Sequence, residues 1–91
     1  MPKIETTESF EKKLAKISKS SKELFKQTKK TIALLAEDPK HPSLRSKPIQ
    51  GAPGIFEATV NMQYRLTCER LDGDIIRLRV IDKHDKALKN P

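Results

Sequence analysis

The chain has 91 residues, which suits one compact domain with a modest core and leaves no room for a second. Its 19 basic residues against 12 acidic ones give a formal charge of +7, favouring a polyanionic partner, nucleic acid or an acidic protein, over a neutral metabolite. The single cysteine, Cys68, excludes an internal disulfide framework and fits a reducing cytoplasm; no apolar run is long enough to span a membrane, and the charged stretch Met1 to Lys13 does not read as a signal peptide.

Taken in order, Lys3 to Thr6 reads as a short edge strand. Phe10, Leu14 and Ile17 then recur at helical spacing and give a first helix with one apolar stripe. Ser20 to Glu23 has the form of a capping box and opens a second helix carrying Leu24, Phe25, Ile32 and Leu35, which Asp38-Pro39 ends. So short a connection implies an antiparallel pair. Lys12, Lys16, Lys19, Lys22, Lys26, Lys29 and Lys30 fall on the outer sides of these helices, where a solvated face is the ordinary explanation.

Between the helices and the next strands, Pro42 and Pro48 hold the segment around Leu44 to Gln50 at an edge or in a loop. After the break at Gly51 to Gly54, Phe56, Ala58 and Val60 alternate with Glu57, Thr59 and Asn61, the mark of a strand covered on one face. Tyr64, Leu66 and Cys68 continue the pattern against Arg65, Thr67 and Glu69, and the register that matches the apolar sets puts Thr59 beside Arg65 and Glu57 beside Thr67. The last strand alternates Ile76, Leu78 and Val80 with Ile75, Arg77 and Arg79. Matching its apolar set to the preceding strand places Leu66 beside Leu78, Cys68 beside Ile76 and Arg65 directly across from Arg79, with Leu71, Asp72 and Gly73 as the loop. Like charges that face each other across strands cost stability, so this pairing points to an anion, in the first place a phosphate. Lys83 to Pro91 reads as a polar turn or tail that Leu88 docks. The expected class is α+β: two N-terminal antiparallel helices packed on one face of a small, mainly antiparallel twisted sheet, with Glu57, Thr59, Arg65, Arg77 and Arg79 on the uncovered face.

This order of elements, with Asp38-Pro39, Leu44-Arg45-Ser46-Lys47-Pro48, Tyr64-Arg65-Leu66 and Lys83-His84-Asp85, resembles the RelE/ParE toxin superfamily over nearly the whole chain. The combination of an arginine after tyrosine in a middle strand and a histidine just past the last strand carries most of the likeness. The resemblance implies a single domain, 1–91, acting as the cytoplasmic toxin of a type II toxin–antitoxin system. Its activity would be that of a metal-independent mRNA endoribonuclease in the ribosomal A site, with a cognate antitoxin as partner and neither cofactor nor membrane. Relatives resembling ParE imply a gyrase-inhibiting protein binder instead, and an inert relative that binds RNA or antitoxin without cutting is the third reading. Two positions depart from the family pattern: Glu57 and Thr59 stand where RelE itself has lysines, and Leu88 stands where many members have an aromatic residue.

Metal-free RNA cleavage needs a base for the 2′-hydroxyl, cations for the phosphorus and an acid for the departing 5′-oxygen. Arginine stays protonated, so Arg65 and Arg79 can only clamp charge, whereas His84 can carry a proton. Glu57 is the first choice of base, with Asp85 behind it. Arg45, Lys47, Arg77 and Lys83 are the expected RNA contacts. The ordinary alternative for Arg65 is a pair with Glu57 or Glu69 across the sheet. His41 reads as a loop residue, and neither histidine has zinc-ligand spacing with Cys68.

Overall fold

A computed structural model describes residues 2–91. Strand β1 (Lys3–Thr6) is followed by helices α1 (Glu8–Ser20) and α2 (Lys22–Glu37), a 3-10 turn at Pro42–Leu44, strands β2 (Lys47–Pro48), β3 (Ile55–Thr59), β4 (Tyr64–Leu71) and β5 (Ile75–Lys83), and helix α3 (His84–Lys89). The sheet order is β1-β5-β4-β3-β2, with β1 parallel to β5 and every other pair antiparallel. The α+β class and the helical pair on one sheet face are as the sequence predicts.

Both long helices are capped by side chains: Thr7 accepts the Phe10 amide at 3.2 Å and Ser21 accepts that of Leu24 at 3.2 Å. The cap of α2 is therefore Ser21, one residue beyond the predicted Ser20. Ser21 also closes α1, its amide donating to Ile17 O, so one residue makes the corner between the helices. Phe10, Ile17 and Leu35 from the helices meet Leu44, Ala58, Leu66, Cys68, Ile76, Leu78 and Ile81 in a single core. Thr28 and Thr31 are buried too; each returns its hydroxyl to a carbonyl one turn back, and Thr31 also reaches Thr59 O at 3.3 Å, which ties α2 to β3.

The register of β3 on β4 is the predicted one, with Thr59 opposite Arg65 and Glu57 opposite Thr67. That of β4 on β5 is not. Cys68 faces Leu78, Thr67 faces Val80, Leu66 faces Ile81 and Arg65 faces Asp82, because a bulge inserts Arg79 between the paired residues of β5. The connection is Asp72 to Asp74, one residue later than predicted, with Gly73 at φ 82° and Asp74 at φ 60° turning the chain. After the bulge the strand changes phase, so Ile81 rather than Val80 enters the core.

The tail also differs from expectation. His84–Lys89 is a helix that packs against β4 and β5 on the face away from α1 and α2. It buries Ala87, and Thr67 Oγ1 donates to the Pro91 main-chain oxygen at 3.0 Å, leaving Thr67 fully buried. The outer sheet face is thus partly roofed. No helix among the described residues is long and apolar enough to cross a membrane.

Candidate active site on the outer face of the sheet

Because β4 is regular, Arg65, Thr67 and Glu69 share its outer side while Leu66, Cys68 and Arg70 share the inner one. Arg65 is placed at the end of the sheet beside the β3–β4 turn. Its Nη1 donates to Asn61 O at 2.6 Å and to Tyr64 O at 3.0 Å, and its Nε lies 3.8 Å from Glu57 Oε1. Asn61 shapes that turn: its Oδ1 accepts the amides of Gln63 and Tyr64, both at 2.8 Å, while its Nδ2 donates to Gln27 of α2. The same turn holds the start of α3, since the His84 amide donates to Gln63 O at 2.8 Å. The Arg65 guanidinium and the His84 main-chain amide are therefore fastened to the same turn, and Lys83 is the register partner of Tyr64. His84 Nδ1 lies 3.3 Å from the exposed carboxylate of Asp85.

Arg65 and Arg79 share the outer face but do not confront each other, which corrects the phosphate clamp drawn from the straight register. Asp82 stands across from Arg65 and ion-pairs with Lys13 at 3.6 Å. Arg79 donates through Nε to the Pro91 main-chain oxygen at 3.0 Å and through Nη1 to Glu69 at 3.3 Å. Arg77 lies between Glu5 at 3.5 Å and Glu69 at 3.7 Å. Three arginines are thereby matched by three carboxylates, Glu5, Glu57 and Glu69, so the face is a charge-balanced lattice and not a bare cationic patch. Glu57 is only 5% exposed and lies against Arg65, a position suited to orienting the guanidinium more than to receiving a proton from a substrate.

Lys47 is the register partner of Glu57 on the edge strand β2 and is exposed, so it borders this face. Arg45 is exposed but stands in a left-handed conformation just after the 3-10 turn, lining a hollow with Phe56 and Arg70, which belong to the inner side of the sheet. The structure thus sets Arg65 against Glu57, starts the His84–Asp85 segment from the same turn through the His84 amide and leaves Lys47 at the rim; Lys83, paired with the core-packed Tyr64, starts from the inner side, and Arg77, Arg79 and Arg45 stand apart. The sequence offers Glu69 only as an alternative partner for Arg65, because its pairing with Arg77 and Arg79 depends on the bulged register; Asn61, between two strands, is a recognisable turn former. No cluster of three or more His, Cys, Asp or Glu side chains suited to a metal occurs among the described residues.

No protein-family model and no curated protein matches the sequence. Solved structures do match in shape. YafQ from E. coli strain BL21(DE3) superposes with a TM-score of 0.76 at 20% identity, covering 94% of this chain and 97% of that one. A YoeB/ParE toxin from Agrobacterium tumefaciens gives 0.79 at 13% identity over 90% and 98%. A toxin from Helicobacter pylori, solved with bound metal, gives 0.77 at 24% identity over 94% and 98%. The order of elements, the sheet topology and these superpositions agree: the chain has the fold of the RelE/ParE toxin superfamily.

Proposed function

We propose that the protein is the toxin of a toxin–antitoxin pair and cleaves mRNA in the ribosomal A site without a metal cofactor. One observation carries the reading: Arg65, a fixed cation, through its guanidinium and His84, a proton carrier, through its main-chain amide are tied to the same β3–β4 turn. Nη1 and Nε of Arg65 are directed to Asn61, Tyr64 and Glu57, which leaves the two N–H groups of Nη2 to hold a phosphate oxygen. In the proposed step the 2′-oxygen attacks phosphorus while Asp85 accepts its proton. The bond to the 5′-oxygen breaks as protonated His84 supplies a proton, leaving a 2′,3′-cyclic phosphate and a free 5′-hydroxyl. Arg65 stabilises the charge that builds on the phosphorane oxygens, and Glu57 positions Arg65. Lys47 contacts the RNA backbone, and Arg77 and Arg79 act mainly within the charge lattice.

The fold neighbours support the toxin reading, since YafQ and YoeB proteins of the same fold were solved in complexes with DinJ and YefM. The partner proposed here is an antitoxin with an acidic segment, complementary to the net charge of +7. A ParE-like action on gyrase is the second reading, favoured by the internal pairing of all three outer-face arginines. Primer extension on cellular mRNA after induction separates the two. Cleavage ends should appear with the parent and vanish with His84→Ala and Arg65→Ala, and growth arrest should vanish with them, while circular dichroism of the purified variants stays native. Full toxicity in both variants would reject these roles, and DNA-damage signalling with intact mRNA would select the gyrase reading.

A further inference from the structure

Cations without an ion-pair partner also converge away from the outer face. Among the described residues Lys40, Arg45 and Arg70 make no ion pair, yet all three line one hollow of about 300 Å³ between the loop after α2 and the inner side of the sheet. Arg70 Cζ lies over Phe56, 4.5 Å from the ring centroid, so its guanidinium is positioned in advance. Arg45 sits at φ 45° and ψ 42°, a conformation that costs a non-glycine residue energy, and its amide is fixed to Pro42 O at 3.1 Å. His41 accepts the Ser43 amide on Nδ1 at 3.1 Å, which places the hydrogen of the neutral ring on Nε2 as a further donor. Ser46, on the same wall, has a buried hydroxyl without a hydrogen-bond partner among the described residues. No carboxylate lines this hollow.

A second cleft of about 390 Å³ adjoins it, sharing Pro39, Lys40 and Arg70. Its wall is apolar at Leu71, Ile75 and Ile76, with Asp38 and Asp74 as acceptors on its border. Converging uncompensated cations beside an apolar slot with acceptors match the two halves of a phosphorylated nucleoside. We propose that this is a nucleotide site: the phosphate lies among Lys40, Arg45 and Arg70, and the nucleoside lies against Pro39, Leu71 and Ile75, its hydroxyl or amino groups reaching Asp38 or Asp74. It lies on the other face of β4 from Arg65 and about 17 Å along the strand from it, at roughly 3.3 Å per residue. The inference is independent of whether the Arg65–His84 site cuts RNA.

The test is a titration of the full ¹⁵N-labelled chain with inorganic phosphate, adenosine, adenosine 5′-monophosphate and a short oligodeoxynucleotide without terminal phosphates. The monophosphate should move the amides of Lys40, Arg45, Ser46, Arg70 and Ile75, and should bind at least about tenfold more tightly than phosphate or adenosine alone. Lys40→Gln combined with Arg70→Gln should weaken it by about tenfold or more, while Arg77→Gln leaves it unchanged. Displacement of the monophosphate by the oligonucleotide would identify a strand as the source of the phosphate, and lack of displacement a free nucleotide. Unmoved amides, equal affinity in the double variant, or phosphate bound as tightly as the monophosphate would overturn the proposal.

Discussion

Glu57 is nearly buried and ion-pairs with Arg65, whose side chain is 16% exposed. Truncating the acid leaves that guanidinium with carbonyl partners but no counter-charge, in a place where water screens it poorly. Glu57→Ala should therefore lower stability by about 2 kcal/mol in urea unfolding, and Glu57→Gln, which keeps an acceptor beside Nε, by less than half of that. Cys68, 1% exposed, has its thiol pushed up to about 11 from the ordinary 9.0, by burial first and against the opposing pull of Arg70. The folded chain then keeps a proton that the unfolded chain loses above pH 9.0, so this contribution is complete below pH 9.0 and disappears as pH rises to about 11. Its size is at most about 3 kcal/mol. The stability difference between the parent and Cys68→Ala should narrow across that window; a constant difference would show that the thiol does not titrate differently on folding. At pH 8 the native thiol should also resist alkylation that the urea-unfolded chain undergoes readily.

Among the elements, β5 is where sequence and structure part, and the residues show why. The pattern from Phe56 to Cys68 alternates without interruption, so one register alone puts its apolar set on the core, and the structure has that register. In β5 the core residues Leu78 and Ile81 are three apart, and straight alternation nominates Val80 in place of Ile81. Only an extra residue in the strand reconciles them, and Arg79 is that residue. Deleting Arg79 should then leave a regular ladder with Leu78, Val80 and Ile81 facing their present partners. The expected loss is no more than about 1 kcal/mol in urea unfolding, from the contacts to Glu69 and Pro91. Deleting Arg77 instead drives Leu78 outward and Arg79 into its core position, which should unfold the domain. Similar losses from the two deletions would sink the bulge assignment. Helix α3 escaped the sequence because its six residues carry just Ala87 as a buried contact, too little for a periodic signal; what holds it is the roof it forms over Thr67. The candidate site divides along the same line: Arg65 beside the turn and His84 past the last strand follow from the strand boundaries, whereas the compensation of Arg77 and Arg79 follows from pairing across the bulge.

For the molecule as a whole, the outer-face arginines are balanced by carboxylates, so the net charge of +7 is carried largely elsewhere. Lys12, Lys16 and Lys19 of α1 and Lys22, Lys26, Lys29 and Lys30 of α2 are all exposed, and among them Lys12 alone has an ion-pair partner, Glu8 at 3.3 Å. Helical geometry stacks Lys12 on Lys16, Lys22 on Lys26 and Lys26 on Lys30, with Lys16–Lys19 and Lys26–Lys29 one residue closer. At a few tenths of a kcal/mol for each like-charge neighbour, the helical layer carries about 1 to 2 kcal/mol of repulsion at low salt. Raising sodium chloride from about 0.1 M to about 1 M shortens the screening length from about 10 Å to about 3 Å and should relieve most of it. The urea midpoint should therefore rise with salt. In a variant with Lys16, Lys26 and Lys30 changed to Gln, the midpoint should start higher and rise less, because the closest like-charge neighbours are already gone. A midpoint that falls with salt in the parent chain would mean that attraction within the Glu5, Arg77, Glu69 and Arg79 lattice outweighs repulsion on the helices.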